Sequence, residues 1–416
     1  MYRILLILLS LASFLMADWP HNPISVNGSE NPGTWNAHYM NGHPKIARIG
    51  NTVCLIGNYA GGERLYKSTN AGETWSQIDQ NVGVFGSTII SGRDSIFYYF
   101  IRSGVNLQMI KFYKDGTPPA PSTIYSNSAV QYSGTSSYRC MSAAVDSTGK
   151  IYLAAHWGNT VDQIYVLSSL DSGTTWSGPY LVSVAGTRWN MPSISVTNNN
   201  IPVITYQGYN DHTIWFAKTN DGGLNWTRTQ ATAALGSNPT IMCFSDSIYI
   251  FLQNGSNACQ WTRSADEGAT WSAFATIETT LGYGDPTGAM GSDSTIYVSF
   301  RSSNGSGLTT GGTGDRFKSR FAQSVNWGTA WTFPDTDGYT DFTTRTVERC
   351  HVRYQTFFNY GGQLEWFWGQ YMSSGTQYVI YYDTNTDMTI LDESAGAAPA
   401  APEQSIFQIK IIDIID

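Results

Sequence analysis

Six arginines lie where apolar runs give way to loops: Arg102, Arg139, Arg188, Arg301, Arg349 and Arg353. A guanidinium is a rigid fork of N–H donors that matches a carboxylate, so three of them on one ligand would hold an acidic group such as that of a sialic or uronic acid. The same run ends carry Asn58 and Tyr59, His156 and Trp157, Tyr206 and Gln207, Gln253 and Gln370. Hydrogen-bonding groups beside flat aromatic faces are what a sugar needs, because sugars present hydroxyl edges and apolar C–H faces. A single polar residue at a strand end needs no ligand to explain it, since any strand leaving a core turns polar. The combination repeated around several runs is what nominates a site, with Arg102, Arg139, His156, Trp157, Arg188, Tyr206, Arg301 and Arg353 as the substrate-binding candidates. Carboxyls are sparser. Asp285, before a proline in GYGDPT, is the first candidate acid/base, Tyr283 stands two residues before it, and Asp211 comes second. Each acid would equally cap a turn. Glu63, Glu348 and Glu365 have no spacing that marks them as a tyrosine's partner.

The elements that must position these residues are strands. Gly 41, Tyr 25, Trp 14 and only 13% charged residues in a chain of 416 describe short aromatic strands joined by tight turns, an all-β protein. A net charge of -8 without a basic run argues against nucleic acid or an anionic membrane surface as the main partner. Residues 1–17 read as a secretory signal peptide, with Arg3 before an apolar run from Ile4 to Met16 and Ala17 at the cleavage point. The product is therefore expected to be secreted or periplasmic, monomeric and not inserted in a membrane. Five scattered cysteines (Cys54, Cys140, Cys243, Cys259, Cys350) without a CxxC pair suit neither a zinc site nor a disulfide framework, and no metal or cofactor is expected.

One eight-residue pattern recurs: STNAGETW from Ser68, SLDSGTTW from Ser169, TNDGGLNW from Thr219, SADEGATW from Ser264 and SVNWGTAW from Ser324. Its tryptophans are spaced by 101, 50, 45 and 60 residues, which is a repeat of roughly 50 if the first gap holds two periods. Each unit also has a strand such as TVCLIGNY, SIFYYFIR, KIYLAAHW, IPVITYQ, SIYIFLQ, TIYVSFR or QLEWFWGQ, which makes seven units. The unit reads strand, turn, strand, loop, strand, octet hairpin, strand. Such four-stranded antiparallel sheets bury both faces only when packed radially. Seven blades are expected, six if one unit without an octet is not a blade. In the octet, the acid or amide can accept from backbone N–H groups of the turn, the glycine supplies positive φ, and the tryptophan buries its ring between sheets.

On these octets the chain resembles the Asp-box (bacterial neuraminidase repeat) β-propellers of the sialidase-like superfamily, with Asn70 and Asn326 replacing the acid in two of five copies. The resemblance implies a propeller over residues 44–391, preceded by a lead-in at 18–43 and followed by an Ala/Pro linker and terminal strand at 392–416. It implies an extracellular glycan or glycoprotein as partner and, if catalysis follows, exo-sialidase-type hydrolysis with three arginines, a tyrosine–glutamate pair and an aspartate. The chain departs from that pattern where Arg-Ile-Pro is expected, carrying Gly42-His43-Pro44. A noncatalytic propeller binding glycan or protein at the channel face is the alternative.

Three other segments invite chemistry. Residues 383–394 have the outline of a calcium loop but carry Met388 and Ser394 where Gly and Glu are required, and read as a degenerate hairpin. DTDGYTD at 335–341 is an oxygen-rich turn, and the Gly/Ser/Thr run at 302–315 is a flap or an insertion.

Overall fold

The computed structural model describes residues 24–25, 46–59, 62–78, 86–127, 141–157, 162–185, 189–232, 235–244, 246–256, 258–278, 286–290, 294–303, 317–332, 346–357, 360–371 and 378–385. Among them there is no helix, and all strands belong to antiparallel sheets. After β1 (Ile24–Ser25), the first sheet is β2 (Ile46–Ile49), β3 (Thr52–Tyr59), β4 (Gly62–Ser68) and β5 (Ser76–Gln77). The second is β6 (Thr88–Ser91), β7 (Ile96–Ser103), β8 (Asn106–Tyr113) and β9 (Ser122–Ser126). The third is β10 (Met141–Val145), β11 (Ile151–Trp157), β12 (Gln163–Ser169) and β13 (Ser177–Leu181). The fourth is β14 (Trp189–Val196), β15 (Pro202–Gly208), β16 (Ile214–Lys218) and β17 (Thr227–Thr232). The fifth is β18 (Gly236–Phe244), β19 (Ser247–Asn254), β20 (Cys259–Ser264) and β21 (Ala275–Glu278). A three-stranded sheet follows, β22 (Thr287–Met290), β23 (Ile296–Ser303) and β24 (Phe317–Ser324). The last comprises β25 (Thr346–Phe357), β26 (Tyr360–Tyr371) and β27 (Tyr378–Asn385), with β1 on the free edge of β27, Ile24 opposite Tyr382.

The first strands meet in a closed circle: β2 with β6, β6 with β10, β10 with β14, β14 with β18, β18 with β22, β22 with β25, and β25 with β2. That is a propeller ring, six of its sheets four-stranded and one three-stranded. The repeated strands recognised in the sequence are the second strand of each sheet. Their unbroken apolar character follows from burial on both faces: all of β11 and β15, and β7 up to Arg102, are buried. The outermost strands β9 and β13 face solvent and read as polar, STIYS and SGPYL.

Between blades lie separate apolar clusters. Ile56, Leu65, Phe97 and Tyr99 join the first two blades. Tyr98, Phe100, Leu153 and Trp157 join the second to the third, and Tyr152, Ile164, Ile204 and Tyr206 the third to the fourth. Val203, Phe216, Ile248 and Ile250 join the fourth to the fifth, and Phe251, Trp261, Val298 and Phe300 the fifth to the sixth.

The octets are fasteners within a blade and between blades. In the third blade, Ser169 Oγ donates to Asp171 Oδ1 at 2.8 Å and accepts from Gly173 N at 2.8 Å, while Asp171 Oδ1 accepts from Thr175 N at 2.8 Å. The fifth blade repeats this with Ser264, Asp266, Gly268 and Thr270. Asn326 Oδ1 accepts the same bonds from Ser324 Oγ at 2.8 Å and Ala330 N at 2.9 Å, so an amide suffices. Four of the five octets also dock on the blade before them. Trp176, Trp226, Trp271 and Trp331 pack into the cluster shared with the preceding sheet. Lysines of the preceding blade donate to octet or turn carbonyls: Lys67 to Gly116, Lys111 to Ser172, Lys150 to Gly222 and Lys218 to Glu267, at 2.6–2.9 Å. Arg263 takes the equivalent place with its guanidinium 5.2 Å from the Trp327 ring centre.

Candidate functional site

Strand register stacks two polar rings around one end of the channel. The lower ring consists of hydroxyls on the first strands: Thr88, Ser142, Ser193, Thr240 and Thr287, each at most 1% exposed. They tie blade to blade. Ser142 Oγ accepts from Ile194 N at 3.0 Å, Ser193 Oγ accepts from Ile241 N at 3.1 Å, and Thr240 Oγ1 donates to Pro286 O at 2.7 Å. Across the sheet these residues pair with Phe100, Ala154, Thr205, Phe251 and Ser299. Two residues further along each second strand come Arg102, His156, Gln207, Gln253 and Arg301, which therefore share one level and form the upper ring.

Side-chain alternation aims four members of the upper ring in one rotational sense. Arg102 shares its face of β7 with Tyr98 and Phe100, which pack toward the third blade. By the same alternation His156 faces the fourth blade with Tyr152 and Ala154, Gln207 the fifth with Val203, and Gln253 the sixth with Tyr249 and Phe251. All four are buried.

The bonds show what this level does within the fold. The entering first strands bulge before a proline, at Met191-Pro192 and Asn238-Pro239, with the register shifting between Asn190 and Ser193 and between Ser237 and Thr240. Met191 and Asn238 take φ of 53°. Gln207 Oε1 accepts from Asn238 N at 3.2 Å, so an upper-ring amide satisfies the bulged backbone of the next blade. In the first blade Glu63 has the matching task, its fully buried carboxylate accepting from Gly86 N at 3.1 Å and Ser87 N at 2.9 Å, and from Ser87 Oγ. Glu63 is thereby a clamp on the entry of β6, a role that depends on a contact 24 residues away.

Around the fourth and fifth blades the network continues to the surface. Gln207 Nε2 meets Nδ1 of the exposed His212 at 2.8 Å, and Gln253 Oε1 lies 3.4 Å from Ser237 Oγ and 3.5 Å from Asn238 Nδ2. Asn190 pairs with Gln207 across the sheet, is 4% exposed, and its Oδ1 has no partner among the described residues. Asn190, His212 and Asn238 were not among the sequence candidates. The recurrence of MPS and NPT within β14 and β18, and of DPT at the start of β22, was the available signal for the bulges.

The nominated residues fall in three places. Arg102, His156 and, by its place on β23, Arg301 are in the upper ring. Trp157 and Tyr206 point into blade interfaces: Trp157 stacks 4.5 Å from Tyr165 and 5.7 Å from Tyr125, and Tyr206, fully buried, meets Trp189 edge-on at 5.3 Å. Burial also pushes the Tyr206 phenol well above its usual range, so it has no phenolate to offer. Arg301 and Arg353 lie on β23 and β25, opposite Ser319 and Glu365 in backbone register. Asp285, Tyr283, Arg139 and Arg188 lie outside the described residues, as do residues 1–17, 304–316, 335–341, 386–394 and the terminal strand. Asp211, the second acid, accepts through Oδ1 from Thr213 N at 3.1 Å and Thr213 Oγ1 at 2.9 Å, which is turn capping. Burial pushes the thiols of Cys54 and Cys243 up, the latter to about 12, so neither offers a thiolate at neutral pH.

The ring of antiparallel sheets around a channel, with polar groups gathered at one mouth, defines the β-propeller class. Solved structures of similar fold include an ulvan lyase of polysaccharide lyase family PL25, 10% identical, covering 89% of this chain and 100% of that one at a TM-score of 0.55. YCF48 bound to D1 peptide is 13% identical over 86% of this chain and 96% of that one, at 0.51. The Hadza microbial sialidase Hz136 is 13% identical over 78% and 73%, at 0.46. At these identities the likeness is one of fold. The chain matches no family model and no curated protein sequence.

Proposed function

We propose that this chain is a secreted or periplasmic Asp-box propeller that engages extracellular glycan through the channel mouth. The observation that carries the reading is the level ring of Arg102, His156, Gln207 and Gln253, which concentrates hydrogen-bonding groups at one end of the channel. Among the propellers of similar fold, an ulvan lyase has been solved bound to a GlcA–Rha3S unit, which recommends acidic polysaccharide as a probe. In the finer reading the ligand is an acidic sugar, its carboxylate held by arginines drawn from Arg102, Arg139, Arg188, Arg301 and Arg353, and it is hydrolysed with Asp285 as acid/base beside Tyr283. Gly42-His43-Pro44, which lacks the arginine of the resembled family, favours binding without turnover as the second reading.

The test is a glycan array that includes sialosides, uronic-acid oligosaccharides and ulvan fragments, run beside turnover of a fluorogenic sialoside. Array signal with turnover supports the hydrolase. Array signal alone selects the noncatalytic propeller, and silence in both removes the glycan reading.

A further inference from the structure

The hydrogen bonds of Gln207 fix more than its own position. Its Oε1 accepts from the Asn238 backbone N–H, so the group facing His212 is the amide Nε2, a donor. His212 Nδ1 must then accept, which leaves the imidazole proton on Nε2. The imidazole is thus held in one tautomer on an exposed loop, with its N–H on the ring nitrogen opposite the bond to Gln207. The residue carrying it is held at φ 51°, a left-handed backbone that a non-glycine side chain adopts at a cost. On the other side of Gln207, across the strand pair, stands Asn190 with a buried Oδ1 that no donor among the described residues reaches. A buried acceptor without a donor is costly, and in native structures it is usually met by water or a ligand.

We infer that the mouth between the fourth and fifth blades is a subsite for a neutral, hydroxyl-bearing sugar unit, held by the His212 Nε2–H donor and the Asn190 Oδ1 acceptor. The inference rests on the glycan reading above and assigns this side of the mouth to the uncharged part of the ligand. A sugar hydroxyl both accepts and donates, so hydroxyls of one sugar unit can accept a hydrogen bond from the His212 Nε2–H and donate one to Asn190 Oδ1. A carboxylate has no proton for Asn190. Among the described residues, the bonds that join Asn190's strand partner Gln207 to His212 and Asn238, and Gln253 to Ser237 and Asn238, run through amides, an imidazole and a hydroxyl, and Asp211 on the His212 loop would repel an anion. The acidic unit of a glycan would belong on the arginine side of the ring.

The experiment measures binding to matched oligosaccharides, neutral tetrasaccharides of glucose, galactose and xylose and the same backbones bearing one uronic or sialic acid. Wild type is compared with His212→Ala and with the near-isosteric Asn190→Leu. Each variant is expected to weaken binding of the neutral members by about tenfold, the equivalent of one hydrogen bond lost. His212 is exposed, so its variant should unfold thermally as wild type does, and it decides the matter alone if Asn190→Leu fails to fold. Wild type that binds no sugar removes the glycan reading and this subsite with it. Wild type that binds while both variants keep its affinity overturns the subsite and leaves the glycan reading standing. So does wild type that binds acidic members only.

Discussion

Gly268 meets two demands at once, since its φ is +83° and a Cβ added there would overlap the Phe216 ring of the preceding blade. Gly50, at φ +60°, has open space around the same hypothetical atom. The pair separates backbone strain from crowding. Gly268→Ala should cost about 2–4 kcal/mol and Gly50→Ala only about 1 kcal/mol, read as shifts in urea midpoints at constant slope. Equal losses would mean that the octet glycine serves its turn alone. Ser193→Ala tests the lower ring: it strands the buried Ile241 N–H, for an expected loss of about 1–3 kcal/mol. At this scale the sequence was legible wherever the chemistry is local. Ser264, Asp266, Gly268 and Trp271 sit within eight residues and announce their turn. Glu63 and Asn190 act through partners that only strand register brings near, and His212 through a glutamine that the turn after β15 returns to it.

The octet hairpin as an element should respond to acid. Hydrogen bonds from Thr175, first its hydroxyl and then its backbone N–H, hold Asp171 down at about 2, and Thr270 does the same for Asp266. The Asn225 backbone N–H lowers Asp221 in the same way. A carboxyl whose folded value lies below its unfolded value of about 3.9 contributes stability that is fully present above the unfolded value and lost as pH falls through the folded one. The protein should therefore lose stability between about pH 4 and pH 2. The double variant Asp171→Asn, Asp266→Asn should show a shallower loss across that interval in denaturant titrations, because Asn326 demonstrates that an amide can keep the turn without titrating. An unchanged slope would place the acid sensitivity elsewhere.

For the molecule as a whole, the period of roughly 50 residues and the doubly buried second strands made the propeller readable from the sequence, because each blade repeats the same local solution. The seam was not readable. It depends on Ile24 and Ser25 pairing with β27, two residues in a lead-in with no strand pattern of its own. Removing residues 18–25 should bare that edge, lower stability by about 1–3 kcal/mol and promote pairing between molecules, seen as an earlier-eluting species in size-exclusion chromatography. A monomer of wild-type stability would show that the short strand is dispensable.

The docking of four successive octets on the blade before each gives the wheel a direction. The third to sixth blades, as they emerge from a ribosome, each find a landing place already built, so their assembly can run in the order of synthesis without waiting for distant sequence. Ile24 and Ser25, together with the β2 face that meets β25, are held in reserve until the final blade arrives.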